Sequence, residues 1–272
     1  MKSPLEPALA LGFPLEREFR DPDLSPLPKP GTYAEPVLTK LRTMWRGRLE
    51  VEYRSSTIFM QLAPQLVEAN APLEATTVML GMAQDELRHA HGCREVLAAL
   101  GSHDAVEVER TVSPLATHRG VPAEERALRN VIYTTCCSEL VACSRFVATL
   151  DGTTDPFFRA AITRLLADER LHGQFGFQYL AWAQPWLAAN GAVRDSLATY
   201  LKLGFAVLEQ ELAPAHVHPI DAAERAVGLE CPVEAKELFY ATIEEAVVPG
   251  LEAVGIAAEQ AWKTRTLSSP ST

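Results

Sequence analysis

From about residue 35 onward, apolar residues recur every three to four positions and hardly stop doing so. That is the period of helices that bury one face. The first such stretch runs from about 35 to 69 and stops at Asn70 before Ala71-Pro72, with Pro64 inside it as a potential kink. A second runs from about Leu73 to Leu100 and ends at Gly101. Residues 102–121, with Pro114 and Gly120, form a connection that must cross the body of the protein. A third helix begins after Pro122 and ends near Asp151-Gly152. A fourth begins at Asp155-Pro156, where Asp can cap and Pro fits the first turn, and continues to about Pro185 or beyond. Further helical pieces follow at roughly 191–212, 220–228 and 233–264, the last with a break at Pro249-Gly250. No run of alternating β-branched residues suggests a sheet, so the fold class is all-α.

The order of these pieces carries information. Two helices joined by a tight turn, a long crossover, and two more helices joined by a tight turn are the arrangement of a ferritin-like four-helix bundle. The expected organisation is a Pro-rich extended arm over 1–33, the bundle over 34–190, and additional C-terminal helices over 191–272 packed on it. Pro4, Pro7, Pro14, Pro22, Pro26, Pro28 and Pro30 mark the arm.

The polar interruptions of the apolar stripes hold the chemistry. Asp85-Glu86-Leu87-Arg88-His89 lies in the second helix and Asp168-Glu169-Arg170-Leu171-His172 in the fourth. Residues three apart share a helical face, so each Glu and His can reach one metal ion. Two such pairs, each with one further Glu from a neighbouring helix, make a dinuclear carboxylate site. In the third helix, Glu139 falls inside the stripe that includes Thr135, Ala142, Cys143 and Phe146. In the first, Glu52 falls between Leu49 and Ser56, whereas Glu50 groups with Arg46, Arg54 and Thr57 on a polar face. Six ionisable residues therefore point into one core: Glu52, Glu86, His89, Glu139, Glu169 and His172. Four buried carboxylates repel one another and lose their hydration, and two divalent cations would neutralise them.

Composition narrows the function classes. A net charge of −10 argues against a nucleic-acid backbone as partner. No apolar run looks long enough to cross a membrane, and the first residues lack the h-region of a secretory signal. A cytoplasmic location is expected. The five cysteines (Cys93, Cys136, Cys137, Cys143, Cys231) have no zinc or disulfide spacing, and reduced thiols are expected. His216 and His218 flank Val217 without carboxylate partners, and Glu209 and Glu211 read as solvated.

Over about residues 40–180, these six residues and the hairpin order resemble the ferritin-like di-iron carboxylate superfamily. That superfamily includes ferritins, rubrerythrins, ribonucleotide reductase small subunits and bacterial multicomponent monooxygenases. The resemblance implies that Glu52, Glu86 and His89 serve one metal and Glu139, Glu169 and His172 the other, with Glu86 and Glu169 bridging. It implies two Fe ions, although Mn/Fe or Mn/Mn suits the same donors. The Asp85–Cys93 segment is similar to the DE-x-RH segment of methane monooxygenase-type hydroxylases. There the Asp supports a His ligand, a role carried here to Asp85 and Asp168. Cys93 stands where ribonucleotide reductase small subunits hold the radical Tyr, and Leu165 where arylamine N-oxygenases hold a third His, so neither of those activities is expected.

The implied function is an O₂-activating oxidase or oxygenase acting on a small organic substrate. A ferredoxin or reductase would supply electrons, and a homodimer is compatible with the class. The alternative is a ferroxidase, an iron-handling protein or a peroxide-detoxifying protein. Three features favour the enzyme: the extra C-terminal helices that can roof a pocket, the absence of a dense acidic tract, and apolar or small residues near the ligands. Those residues are Phe59, Met82, Cys143, Phe146, Gly173, Phe175 and Gly176.

Overall fold

In the computed structural model, which describes residues 24, 26–29, 31–102, 112–216 and 219–267, four long helices stand where the apolar periodicity puts them. They are α1 (Glu35–Glu68), α2 (Leu73–Ala99), α3 (Ala123–Gly152) and α4 (Pro156–Ala189). The local stop signals act as their chemistry dictates. Asn70 adopts φ 52° after α1 and Gly101 φ 76° after α2, the left-handed conformation that lets a helix end. The Asp155 carboxylate accepts from the backbone N–H of Phe157 at 2.9 Å and of Phe158 at 3.3 Å, capping α4. Helix α1 runs on through Pro64, and α4 through Pro185. Among the described residues there is no strand, so the chain is all-α. Residues 1–23 of the expected arm lie outside the described residues, and Leu24, just after them, is buried against the bundle.

The C-terminal third forms α5 (Gly191–Leu212), α6 (Ala222–Ala226), α7 (Pro232–Thr242), α8 (Val248–Glu252) and α9 (Ala258–Lys263). The expected break at Pro249-Gly250 is not there. The helix instead continues from α7 through a π-helical stretch, Ile243–Val247, into α8, so Pro249 lies just after the widened turn, and the chain turns only after Glu252, with Gly255 at φ 83°. A Cβ on Gly250 would meet Phe177 Cε1 at 2.3 Å, so this glycine is there for close packing on α4.

Helix α1 packs on α2 and α3, and α4 packs on α3 and α2, so the four close a ring. Their buried apolar residues form two separate clusters. One contains Leu41, Trp45 and Leu49 of α1, Cys93 to Leu97 of α2, Phe146 of α3 and Phe157 to Leu166 of α4. The other contains Phe59 to Leu66, Met79 to Ala83, Leu128 to Val141 and Phe175 to Leu187. The chain crosses from the first cluster to the second along α1, back along α2, back again along α3 and forward along α4. Hence α1 runs parallel to α4, and α2 to α3. The layer between the clusters is polar, and all six residues singled out above lie in it.

Two features of α3 go beyond the sequence reading. Its residues Ile132–Glu139 are π-helical, each turn widened by one residue. The swollen turn presses on α4 at Gly176, where a Cβ would meet Thr135 Oγ1 at 2.4 Å and Cys136 N at 2.9 Å, so only glycine fits. Helix α3 is also long and apolar enough, by length and composition, to cross a membrane. That corrects the expectation that no segment is. The apolarity has a local use, because the helix packs against α1, α4 and α5 and supplies much of the second apolar cluster.

Candidate metal centre

Helix geometry brings all six residues together. Glu52 comes from α1, Glu86 and His89 from α2, Glu139 from the end of the π-helical stretch, and Glu169 and His172 from α4, and all are buried. They form two groups of donors. Glu52, Glu86, His89 and Glu169 offer oxygen and nitrogen atoms within 4.8 Å of one another, and so do Glu86, Glu139, Glu169 and His172. Glu86 and Glu169 belong to both groups. Glu50 is exposed, as its polar face required; Thr57, grouped with it on sequence, is instead buried, donating to Arg54 O and accepting from Ser113 N.

The histidines are oriented from outside this cluster, and the supports are crossed. His89 Nε2 of α2 lies 3.2 Å from Asp168 Oδ2 of α4, and His172 Nε2 of α4 lies 3.2 Å from Asp85 Oδ2 of α2. Each Asp therefore steadies the imidazole of the other hairpin, and Arg88 joins the pair by bonding Asp85 and approaching Asp168 at 3.8 Å. A carboxylate that accepts from Nε2–H leaves Nδ1 as the lone-pair nitrogen, facing inward.

That inward side is short of partners. His89 Nδ1 lies 3.2 Å from Glu169 Oε1 and 3.5 Å from Glu52 Oε2, and His172 Nδ1 lies 3.1 Å from Glu86 Oε1, but none of these contacts has the alignment of a hydrogen bond. Glu86 Oε1 and Glu169 Oε2 are likewise buried without a hydrogen-bond partner. Lone pairs of nitrogen and oxygen face each other across about 3 Å, which is repulsive unless a cation or proton lies between them. Two divalent ions suit this donor set: carboxylate oxygens and imidazole nitrogens converge in two groups, with the outer Nε2 of each imidazole already engaged.

Without metal, protons take that place. Burial drives the Glu52 and Glu139 carboxyls well above the usual carboxylate range, and the neighbouring Glu169 and Glu86 charges push in the same direction. Burial works against charging His89 and His172, but the carboxylates around them outweigh it and raise both well above an ordinary imidazole. Burial alone would raise Glu169, yet His172 and His89 hold it below its usual range. Asp168 is lowered by its bond to His89.

The layer opens on a cavity of about 290 Å³ between α1 and α3, lined by all four glutamates together with Val51, Ala142, Phe146, Arg48, Arg145 and Glu230. Of the pocket-lining residues expected from the sequence, only Phe146 lies on it. Phe59 stacks edge-on to His172 with ring centroids 6.0 Å apart, and Met82 and Phe175 belong to the apolar cluster. Gly173 and Gly176 admit α3, and Cys143 packs at the edge of the other cluster. On the opposite side of the layer, Cys93 faces a space of about 20 Å³ beside His89 and Asp168, room for one water. Its thiol is pushed up by burial and does not ionise at neutral pH.

Sequence reading missed three charged residues at the cavity: Arg48, Arg145 and Glu230. Arg145 and Glu230 are joined by two bonds of 2.5 Å. Arg48 precedes Glu52 by one helical turn and therefore shares its face, a signal present in the spacing. Glu211 is exposed, as expected, whereas Glu209 is only half-exposed and paired. Glu209 binds Arg265 at 2.7 Å and 2.8 Å and accepts from Tyr240, and Glu211 accepts from Tyr133 at 2.6 Å. His216 is exposed, and His218 lies outside the described residues. All five cysteines are free thiols.

The crossed supports give a prediction. Asp85→Asn or Asp168→Asn keeps the side-chain shape but removes the charge behind one imidazole. Each is expected to weaken binding of one of two metal ions by about 10- to 100-fold and to leave the other largely unchanged. Chelator-competition titration reads both steps, and a single substitution that weakens both equally would mean the supports act as one network. Comparison with protein-family models, curated proteins and solved structures finds no significant match to this chain.

Proposed function

We propose that this chain is a ferritin-like di-metal carboxylate protein that activates O₂ to oxidise a small organic substrate. The observation that carries the reading is the pair of donor groups sharing Glu86 and Glu169, with unpartnered inward atoms, at the floor of a partly apolar cavity. The two antiparallel hairpins, α1–α2 and α3–α4, and the long link between α2 and α3 support assignment to that fold. Two Fe ions, or Mn in one or both positions, suit the donors. A redox-active ion pair supplies the electrons that reduce O₂, and a ferredoxin or reductase would restore them.

The chain's own residues do the rest. Glu52, Glu86, His89 and Glu169 would hold one ion, and Glu86, Glu139, Glu169 and His172 the other. Asp168 and Asp85 hold the proton on each Nε2, which fixes the tautomer and keeps Nδ1 turned inward. The cavity gives an organic molecule of modest size a place beside the carboxylates, with Phe146, Val51 and Ala142 as apolar wall. The alternative, iron uptake and storage, fits the approach less well. A Fe²⁺ ion arriving through this cavity would pass the unpaired Arg48, whereas an organic molecule finds an apolar wall there.

Elemental analysis after iron-replete expression tests the centre: about two metal ions per chain are expected, and a protein that stays metal-free removes the proposal. Function is read by O₂ uptake of the reduced, metal-loaded protein with and without small organic compounds. Uptake that leaves an oxygenated or dehydrogenated organic product supports the enzyme. Deposition of many ferric ions per chain moves the assignment to storage.

A further inference from the structure

The two arginines at the cavity differ in one respect. Arg145 is spent on Glu230, which holds it through two bonds. Arg48 is not. Its guanidinium lies over the rings of Trp45 and Phe146, 4.9 Å from each centroid, and its buried Nη1 has no hydrogen-bond partner. Two aromatic faces hold the plane of the guanidinium but cannot satisfy its N–H groups, which project along the edge. The nearest opposite charges are committed elsewhere: Glu230 to Arg145, and Glu52, one turn along α1, to the donor group described above. With two divalent ions balancing four glutamates, the guanidinium remains an uncompensated cation in the wall of the cavity, with Met44, Val51, Ala142 and Phe146 as apolar neighbours. An unpaired buried N–H and a fixed fork of donors is the arrangement that recognises a carboxylate.

We propose that the cavity binds a small hydrophobic carboxylic acid, its carboxylate on Arg48 and its apolar body along Val51 and Phe146 toward the glutamates. Calling that acid the substrate rests on the oxygenase reading above; the binding itself does not. The geometry also sets the direction of approach. The charged end is anchored one helical turn from Glu52, so the hydrocarbon part is what faces the donor cluster.

The test uses the full chain with its metal content measured before each run. Octanoate and 1-octanol, which share a chain and differ in charge, are titrated calorimetrically into the wild type and into Arg48→Met. The wild type is expected to bind octanoate at least about tenfold more tightly than 1-octanol. Arg48→Met is expected to lose about 10- to 100-fold in octanoate affinity with 1-octanol unchanged and both metal positions still filled. Equal octanoate affinity in the two proteins overturns the proposal, because the acid then sits on the metals or elsewhere. So does equal affinity of the wild type for acid and alcohol, or binding of neither.

If Arg48→Met does not fold, Arg48→Lys carries the same comparison: it keeps a cation but loses the two-pronged contact, and an octanoate affinity equal to wild type overturns the proposal. The titration is repeated on protein stripped of metal. Octanoate binding that depends on Arg48 in a chain that never takes up metal would sink the metal centre and leave the acid site standing. Two metals with no Arg48-dependent binding would do the reverse.

Discussion

Glu86→Ala and Glu169→Ala are each expected to empty both metal positions, whereas Glu52→Ala or Glu139→Ala should empty only one. The asymmetry comes from the way the four carboxylates are shared. Glu86 and Glu169 contribute to both groups of donors, whereas Glu52 and Glu139 each contribute to one. Losing a shared carboxylate removes an oxygen from each ion and the negative charge that lets two divalent cations sit side by side. Losing an outer one leaves the other ion a nearly complete shell. The measurement is metal per chain after reconstitution and desalting, falling from about two to background for the shared positions and to about one for the outer ones.

Glu52→Ala and Glu139→Ala should leave stability largely intact, because each removes a carboxyl that burial already drives above its usual range. Glu169→Ala and Glu86→Ala take a carboxylate from the buried His89 and His172 and are expected to lower the melting temperature without unfolding the chain. Far-UV circular dichroism of the metal-free variants should match the parent. A Glu86→Ala protein that keeps one tightly held ion would show that the two groups are independent sites.

How much of this was legible beforehand depends on whether a feature lives within one helix or between helices. The grouping of Glu86 with His89 and of Glu169 with His172 needs only the three-residue spacing. The addition of Glu52 and Glu139 needs only the apolar stripe around them, and all six fall in one buried layer. The crossing of the aspartates is different in kind. Asp85 reaches His172 and Asp168 reaches His89 because α2 and α4 lie side by side at that height, which no spacing within either motif encodes. The cavity was misplaced for a similar reason. Phe59, Met82 and Phe175 carry the right periodicity but pack into the apolar cluster, whereas the open face lies between α1 and α3 and is walled partly by arginines.

Long cationic side chains read as surface residues in a sequence, and Arg48 does not stand out there although its spacing to Glu52 places both on one face. The π-helical stretch before Glu139 left no mark in the residues of α3 themselves. Its trace is Gly176 on the opposite helix, where the widened turn leaves no space for a Cβ. The relation between glutamates and solvent failed farther from the site too, since Glu209 is paired with an arginine that lies 56 positions away in the chain.

Metal affinity is expected to rise steeply with pH across neutrality, because the ions displace protons. In the metal-free protein Glu52, Glu139, His89 and His172 all hold protons more tightly than their ordinary values. The sign follows directly: a group whose affinity for protons is raised keeps its proton to a higher pH than usual, that proton occupies the lone pair a metal needs, and raising the pH removes the competitor. Four groups bear four protons, the same charge as two divalent ions, so the exchange leaves the charge of the buried layer unchanged. This is why the layer can exist in both states without an unbalanced charge in low dielectric.

With about two protons released per ion, the apparent affinity for each ion should increase by about 100-fold per pH unit, measured between about pH 6 and 8 with a metal that stays soluble there. Calorimetric titration in buffers of different ionisation enthalpy counts the protons directly. Release of close to four for two ions is the expected result. Release of none would mean that the lone pairs facing each other across the layer are separated by something other than protons when the metal is absent.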